Sequence, residues 1–345
     1  MKLYIKRFPE LTTDELYALL QVRSEVFVVE QNCVYQDLDY DDQASIHLWL
    51  ADSDGKILSM ARVCPAGVHM EQISIGRVIT TERGKGYGLR IMREAIGVAR
   101  RYFDAETIDI EAQEYAKPFY EMVGFEQSSE PFILDGIPHI KMSYNFTSGV
   151  HIRRADLGDV ALIADVVCAA LGEELAEKLR GGLGMSLMEQ VVAQPDTVYS
   201  YKNTLVAEIN GVSVGAIIGY DGAKMWELRR PTFALIEKVT GTAPQLEEET
   251  GPGEFYLDSL AVLPEYQGQG IGATLISEAS KQAFANGFSR VALLVDLANP
   301  NAERLYTRLG FHRDKPVTLL GHEMYHMVLE GPLSSESGPL VILPT

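Results

Sequence analysis

A chain of 345 residues is longer than one hydrophobic core usually supports, so two domains are expected, each large enough to bury a core of its own. The formal charge of −18 excludes the basic stripe that a nucleic-acid binder needs, and it favours a cationic small-molecule partner only weakly. Three cysteines (Cys33, Cys64, Cys168) without CxxC spacing give neither a disulfide framework nor a zinc site.

The opening residues, MKLYIKRFPELTTDEL, lack the apolar stretch of a signal peptide, and no run approaches the ~20 apolar residues of a membrane span. A soluble cytoplasmic protein is the expectation. After an early strand, helical spacing runs over 13–27, followed by strands at 47–51 and 57–63 and an apolar strand at 73–79. Leu89, Met92, Ile96 and Ala99 then recur at helical spacing, before a strand at 107–111 and a short helix carrying Tyr120. Ile140, Met142 and Tyr144 alternate with polar residues and close a first unit, 1–146, at the turn-rich Asn145-Phe146-Thr147-Ser148-Gly149.

A second unit, 150–330, repeats this order. It has a strand at 150–154, Asp156 as N-cap of a helix reaching 178, and strands at 204–209 and 214–220. An apolar strand at 260–263 leads into a helix with Leu275, Ala279 and Ala283, then a strand at 290–295, a short helix carrying Tyr306 and a closing strand at 323–329. It alone has an insertion, roughly 223–253, with Trp226 and a helical run at 232–239; 331–345 read as an irregular tail. The pattern is α+β: two domains, each a central, mostly antiparallel mixed sheet flanked by helices.

A glycine loop anchors both units, and its repetition governs the reading. Arg83-Gly84-Lys85-Gly86-Tyr87-Gly88 and Gln267-Gly268-Gln269-Gly270-Ile271-Gly272 both fit (Arg or Gln)-x-x-Gly-x-Gly. Each follows an apolar run, opens a helix, and precedes Tyr-x-x-x-Gly-Phe, at 120–125 and 306–311. A strand turning into a helix leaves backbone N–H groups without intrahelical partners, and with the helix dipole these form an anion site. Alternate glycines remove the Cβ atoms that would hold a phosphate away. A nucleotide-hydrolase loop needs Gly-Lys-Ser/Thr, but Lys85 precedes Gly86. A Rossmann fingerprint needs Gly-x-Gly-x-x-Gly in a βαβ unit; here the spacing is Gly-x-Gly-x-Gly and the preceding chain does not read as parallel. The alternative, a glycine-rich turn with no ligand, fits one isolated copy better than two matched ones.

These motifs resemble the GNAT superfamily of acyl-CoA-dependent N-acetyltransferases. The second unit carries Asp258-Ser259-Leu260-Ala261-Val262, then Pro264-Glu265-Tyr266 before the loop, Asn299-Pro300-Asn301-Ala302, Leu305-Tyr306 and Leu309-Gly310-Phe311. The first is similar to the ElaA-like branch through Arg23-Ser24-Glu25-Val26-Phe27-Val28-Val29-Glu30-Gln31, Tyr35-Gln36-Asp37-Leu38-Asp39 and Gly136-Ile137-Pro138-His139-Ile140. The resemblance implies acetyl-CoA (coenzyme A) as co-substrate and no metal. It assigns the pyrophosphate to Arg83, Gly84, Gly86 and Gly88 in one loop and to Gln267, Gly268, Gly270 and Gly272 in the other. The pantetheine arm would lie along the preceding strand, at Val78 in the first unit and at Leu260 and Val262 in the second, with Asn299 also at the cofactor. The implied activity is acetyl transfer to a primary amine of a small-molecule or peptide acceptor. Peptide N-terminus, lysine, polyamine, aminoglycoside and small metabolite all stay open. The alternative is an acyl-CoA-binding scaffold or sensor in which one or both domains do not turn over. Neither nucleic acid nor membrane is an expected partner. Because related domains pair as dimers, a monomer with pseudo-dimeric domains or a weak homodimer is expected.

A lysine-like amine has a pKa of about 10.4, so near pH 7 a base must take its proton. Asp258, on the strand before the second loop, is the candidate, with Glu254 in reserve; plain solvation of a strand end is the other reading. With strict alternation Asp258 shares a face with Leu260 and Val262, unless a bulge shifts the parity. Tyr306 and Tyr120 are candidate general acids: a phenol of pKa about 10 stays protonated and can donate to a thiolate whose thiol has pKa about 8.5. The alternative is a core aromatic beside Gly-Phe. In the first unit Gln113 and Tyr115 stand where the second has Asn299 and Asn301, and Ser74 aligns with Asp258, so the second domain is the expected catalyst.

The acidic run 37–42 lacks the Gly and Glu of a calcium loop, with Asp42 and Leu48 at those positions. Glu30, Asp37 and Asp39 read as an entrance for a cationic amine, a helix cap or a solvated turn. His47 and His139 read as structural, and Cys33 has no activating cation beside it. Trp226 with Arg229 and Arg230 reads as a helix-end packing corner or a lid over the acceptor site.

Overall fold

The computed structural model describes residues 1–146, 149–170, 184–241, 248–319 and 321–331. The expected helix beyond 170, residues 242–247 of the insertion and the tail from 332 lie outside the described residues. The chain divides into two compact units, Met1–Ala164 with Val206–Val214 and Asp165–Leu205 with Gly215–Thr345. Among the described residues no helix is long and apolar enough to cross a membrane.

The first run of elements is β1 (Lys2–Arg7), α1 (Thr13–Arg23), β2 (Ile46–Ala51), β3 (Ile57–Cys64), β4 (Ile73–Thr80), α2 (Tyr87–Phe103), β5 (Thr107–Gln113), α3 (Lys117–Glu121), β6 (Glu126–Gln127), β7 (Phe132–Leu134) and β8 (Ile137–Asn145). Their sheet has the order β1-β2-β3-β4-β5-β8-β6, with β7 paired to β8. The second run is β9 (Val150–Arg154), α4 (Val160–Ala170), α5 (Gly184–Ala193), β10 (Thr204–Ile209), β11 (Val212–Asp221), α6 (Met225–Thr240), β12 (Phe255–Val262), α7 (Ile271–Ala285), β13 (Arg290–Asp296), α8 (Pro300–Arg308), β14 (His312–Leu319) and β15 (His322–Glu330). This sheet runs β14-β15-β13-β12-β11-β10-β9. Both sheets are mixed and mostly antiparallel, with flanking helices.

Among the described pairings, β4–β5 and β12–β13 are the parallel ones. The strand before each glycine loop therefore pairs in parallel with the strand after the helix, through a β-α-β crossover. This corrects the sequence expectation, and the Rossmann fingerprint is excluded by its glycine spacing alone. The parallel register is only Ile73↔Ile108 and Ser74↔Asp109 in one sheet and Phe255↔Val291 to Leu257↔Leu293 in the other, too short to leave a continuous apolar signature.

In β5, Ile108, Ile110 and Ala112 are buried and alternate with half-buried Thr107, Asp109, Glu111 and Gln113. The buried set meets Leu89, Met92, Ile96 and Ala99 of α2, so helical and strand periodicities converge on one core. The expected helix at 13–27 divides into α1 and a wider π-helical stretch, Ser24–Glu30. Asp156 caps a 3-10 turn, Leu157–Asp159, accepting from the Gly158 N–H at 2.7 Å, and α4 begins only at Val160.

The Tyr-x-x-x-Gly-Phe motif is a helix stop. Phe311 N–H donates to the Tyr306 carbonyl at 3.0 Å and Gly310 N–H to that of Thr307 at 3.0 Å, with Gly310 at φ +96°. Phe125, Gly124 and Tyr120 repeat the pattern, with Gly124 at φ +89°. This is the Schellman arrangement, which needs glycine after the helix and sets the following apolar residue against the last turn. Phe311 is 2% exposed. Phe311→Ala should cost about 3–5 kcal/mol of unfolding free energy, read from denaturant titration.

Candidate active site

β12 runs on to Val262 and β13 to Asp296, but their pairing ends at Leu257↔Leu293. β4 and β5 part in the same way after Ser74↔Asp109. Beyond these points the facing edges carry N–H and C=O groups without a ladder partner, the kind of edge to which an extended, amide-bearing chain can bond.

A glycine loop stands at the head of each following helix. In the second, Gly268 (φ +75°) and Gly270 (φ +82°) are exposed, and a Cβ added at either would meet open space. Gln267 Nε2 donates to the Val262 carbonyl at 2.9 Å, bracing the loop on the end of β12. Glycines forced to positive φ, facing open space above a helix N-terminus, fit a bound pyrophosphate. The first loop differs. A Cβ on Gly86 (φ +77°) would lie 2.4 Å from the Leu157 main chain, and one on Gly88 2.9 Å from Thr80 Oγ1. Arg83 is ion-paired with Glu30, and Lys85 with Glu82 at 2.7 Å.

Asp258 is the extra residue of a bulge: Ile218 pairs with Ser259 and Gly219 with Leu257. The bulge interrupts the strict alternation expected to join Asp258 with Leu260 and Val262. Its Oδ2 accepts from Tyr220 Oη at 3.0 Å and its Oδ1 from Ser259 Oγ at 2.7 Å. Beside it Glu249 accepts from Arg229 Nη2 at 2.5 Å and from Tyr256 Oη at 3.0 Å. Burial pushes both carboxyls above their ordinary values; Asp258 raises Glu249 further, while Ser259, Tyr220 and Arg229 pull Asp258 partly back. Burial, then the neighbouring carboxylates, also pushes the phenols of Tyr199, Tyr220 and Tyr256 up, so they stay protonated donors. Glu249, Tyr199, Tyr220 and Tyr256 are not apparent as site residues in the sequence. The available signal was the acidic run 247–249 just before β12, which alone carries no register.

Glu254, the reserve base, accepts from Thr250 Oγ1 at 2.7 Å, and its Oε1 lies 3.1 Å from His326 Nε2. Burial alone would raise its carboxyl, but these partners bring it below the usual range. Tyr306 on α8 is half-buried, its ring 6.1 Å from that of Phe311, and burial raises its phenol. Asn299 serves as N-cap of α8, accepting from the Ala302 N–H at 3.1 Å.

The Acetyltransferase (GNAT) family model matches residues 192–311, and an Acetyltransferase (GNAT) domain model matches residues 11–146. A UPF0039 protein of Schizosaccharomyces pombe is 39% identical over 140 residues, covering 40% of this chain and 92% of that protein. The chain belongs to the GNAT acetyltransferase family. Protein ElaA of Escherichia coli is 38% identical over 138 residues, covering 39% of this chain and 90% of ElaA. A crystal structure described as an acetyltransferase is 31% identical, covering 52% of this chain and 98% of that one, with a TM-score of 0.47.

In the first GNAT domain Tyr120 on α3 is half-buried, its phenol raised by burial and by Tyr115. Val78 follows a bulge at Arg77 (φ +53°), between Met60↔Ile79 and Arg62↔Gly76. Ser74 is buried at the last paired register, and its Oγ makes no hydrogen bond among the described residues. The acidic run is not an open entrance. Arg23 binds Asp37 and Asp42, each at 2.8 Å; Arg62 binds Asp39 at 2.7 Å and Asp42 at 2.9 Å; Arg77 reaches Asp37 at 2.8 Å and Asp39 at 2.9 Å. Asp39, Asp41 and His69 converge closely enough to hold a cation, but the Arg62 guanidinium already lies 2.7 Å from Asp39 and 3.7 Å from Asp41.

His47 Nε2 lies 3.0 Å from the Asp42 carbonyl and His139 Nδ1 2.9 Å from that of Ile137, both local structural contacts. Cys33 is buried against the Asp135 carbonyl. Trp226 is 45% exposed with the Arg229 guanidinium 5.8 Å from its ring, so the helix-end corner also supplies Arg229 to Glu249.

Burial would raise Asp39 and Asp42, but Arg62, Arg77 and Arg23 hold both carboxyls below the usual range. Their stabilisation is present above the unfolded carboxylate pKa of about 3.9 and is lost as pH falls from there through the lower folded values. Asp39→Asn should flatten the fall of unfolding temperature below about pH 4. Asp42→Ala, which leaves Arg23 and Arg62 buried without this partner, should cost about 3–5 kcal/mol by denaturant titration.

Proposed function

We propose that this protein is an acetyl-CoA-dependent N-acetyltransferase in which the second GNAT domain turns over, passing acetyl to a primary amine of a small-molecule or peptide acceptor. The observation that carries this reading is the coincidence on β12. Its ladder to β13 opens after Leu257, the bulge that follows carries Asp258, and an unobstructed glycine loop comes next. The loop residues Gln267, Gly268, Gly270 and Gly272 take the pyrophosphate, and the edge at Leu260 and Val262 takes the pantetheine arm and polarises the thioester carbonyl. Asp258 accepts a proton from the acceptor ammonium, and its raised pKa makes it a stronger base for that task. The amine nitrogen bonds to the acetyl carbonyl carbon, and the C–S bond breaks as Tyr306 donates its proton to the leaving thiolate. The second nitrogen-borne proton restores the Tyr306 phenol, and Asp258 releases its proton to solvent. The sum is an amide, a thiol and one released proton.

The first domain favours the second reading, acyl-CoA binding without turnover. Ser74 aligns in sequence with Asp258 and offers no carboxylate to take the proton of an ammonium.

Thiol release from acetyl-CoA, followed over a panel of amines, tests the assignment. At least one amine should be acetylated, with Asp258→Ala and Tyr306→Phe each lowering kcat by about 10²–10⁴-fold. Release at background with every amine would overturn the activity. Release unchanged in both variants would remove the two residue roles and leave the activity standing.

A further inference from the structure

We propose that Glu249 and Arg229, both from the segment joining β11 to β12, are positioning residues that make Asp258 the proton-taking member of a carboxylate pair built for a cationic amine. The inference rests on the reading of Asp258 as base. Tyr220 and Tyr256 are direct partners across the β11–β12 ladder, their rings edge-to-face at 5.8 Å. The Tyr220 phenol donates to Asp258 and the Tyr256 phenol to Glu249, so two carboxylates are held side by side on one sheet face. One guanidinium serves both. Arg229, 2% exposed, donates to Glu249 at 2.5 Å and acts on Asp258 through charge.

Among the described residues the groups facing Asp258 are Tyr220 from β11, Tyr256 and Ser259 from β12, Arg229 from α6, Glu249 from the segment before β12, and Tyr199 from the chain before β10, with the Cys168 thiol of α4 acting on Tyr199. Among the described residues this half-buried cluster, with both carboxylates ionised, carries more negative than positive charge, a costly state that favours taking up either a proton or a cation. Asp258 pushes Glu249 up, but the direct bond from Arg229 and the Tyr256 phenol hold Glu249 ionised against that push, so the proton goes to Asp258. An alkylammonium group neutralises the cluster on arrival. Once its proton has passed to Asp258, the cluster is neutral and the amine is free to attack.

The coupling can be measured without an acceptor, from the unfolding temperature of the full chain between pH 4 and pH 8. A carboxyl whose folded pKa is raised contributes stability at low pH, and that contribution is lost as pH rises from the unfolded value through the folded one. Wild type should lose stability over this range relative to Glu249→Gln, by about 3–5 °C for each pKa unit by which the pairing raises Asp258. Asp258→Asn should show the same sign, the two substitutions should not add, and Glu249→Asp, which keeps the charge, should restore the wild-type slope. Curves that run parallel for wild type, Glu249→Gln and Asp258→Asn would overturn the coupling whatever the amine panel gives. A silent panel with diverging curves would overturn the enzyme reading and leave the coupling intact.

Discussion

The functional layout of each GNAT domain depends on one pair of parallel strands that begin together and then separate. A sheet interior is normally closed because every N–H and C=O is answered across the ladder. Here the crossover helices α2 and α7 bring β5 and β13 alongside β4 and β12 for a few residues only, and the edges then stand apart. That separation leaves main-chain groups without a ladder partner on the facing edges and directs the end of the first strand into a glycine turn at a helix N-terminus. The helix N-terminus and the open edge proposed to take the pyrophosphate and the pantetheine arm thus follow from the same backbone event.

The two copies keep this backbone event and differ in the side chains around it. In the second domain the bulge falls on Asp258, which meets tyrosines, an arginine and a second carboxylate at low solvent exposure. In the first the bulge falls on Arg77, and the charges nearby are arginines and aspartates that satisfy one another. A closed ion network stabilises a domain, whereas the half-buried carboxylate pair beside Arg229 is proposed to receive a cationic amine. The same contrast appears at the loops, where Gly270 faces open space and Gly86 faces Leu157.

Features made by near neighbours were legible in the sequence. The glycine loops, the helical spacing of Leu89, Met92, Ile96 and Ala99, and the Gly-Phe helix stops all depend on residues a few positions apart. The strand boundaries of β3 and β10 came out within a residue of expectation. Features joining distant segments were not legible. The parallel register was hidden because it spans so few residues, and the pairing of Arg62 with Asp39 or of Arg229 with Glu249 joins residues about twenty positions apart. Asp37 and Asp39 looked like an open entrance because a sequence shows a carboxylate without the guanidinium that answers it. Asp258 was singled out by its place before the loop, but the bulge on which it falls depends on the register with β11.

The central claim, that the acyl-CoA used in turnover sits on the loop from Gln267 to Gly272, is tested most directly by calorimetric titration of acetyl-CoA into the full chain and into Gly270→Val, with thiol release measured on the same samples. A valine there would carry positive φ and project into the space assigned to the pyrophosphate. The account predicts that Gly270→Val, with helix content retained, loses one bound equivalent and loses turnover with it. Turnover that survives the substitution at the wild-type rate would contradict it.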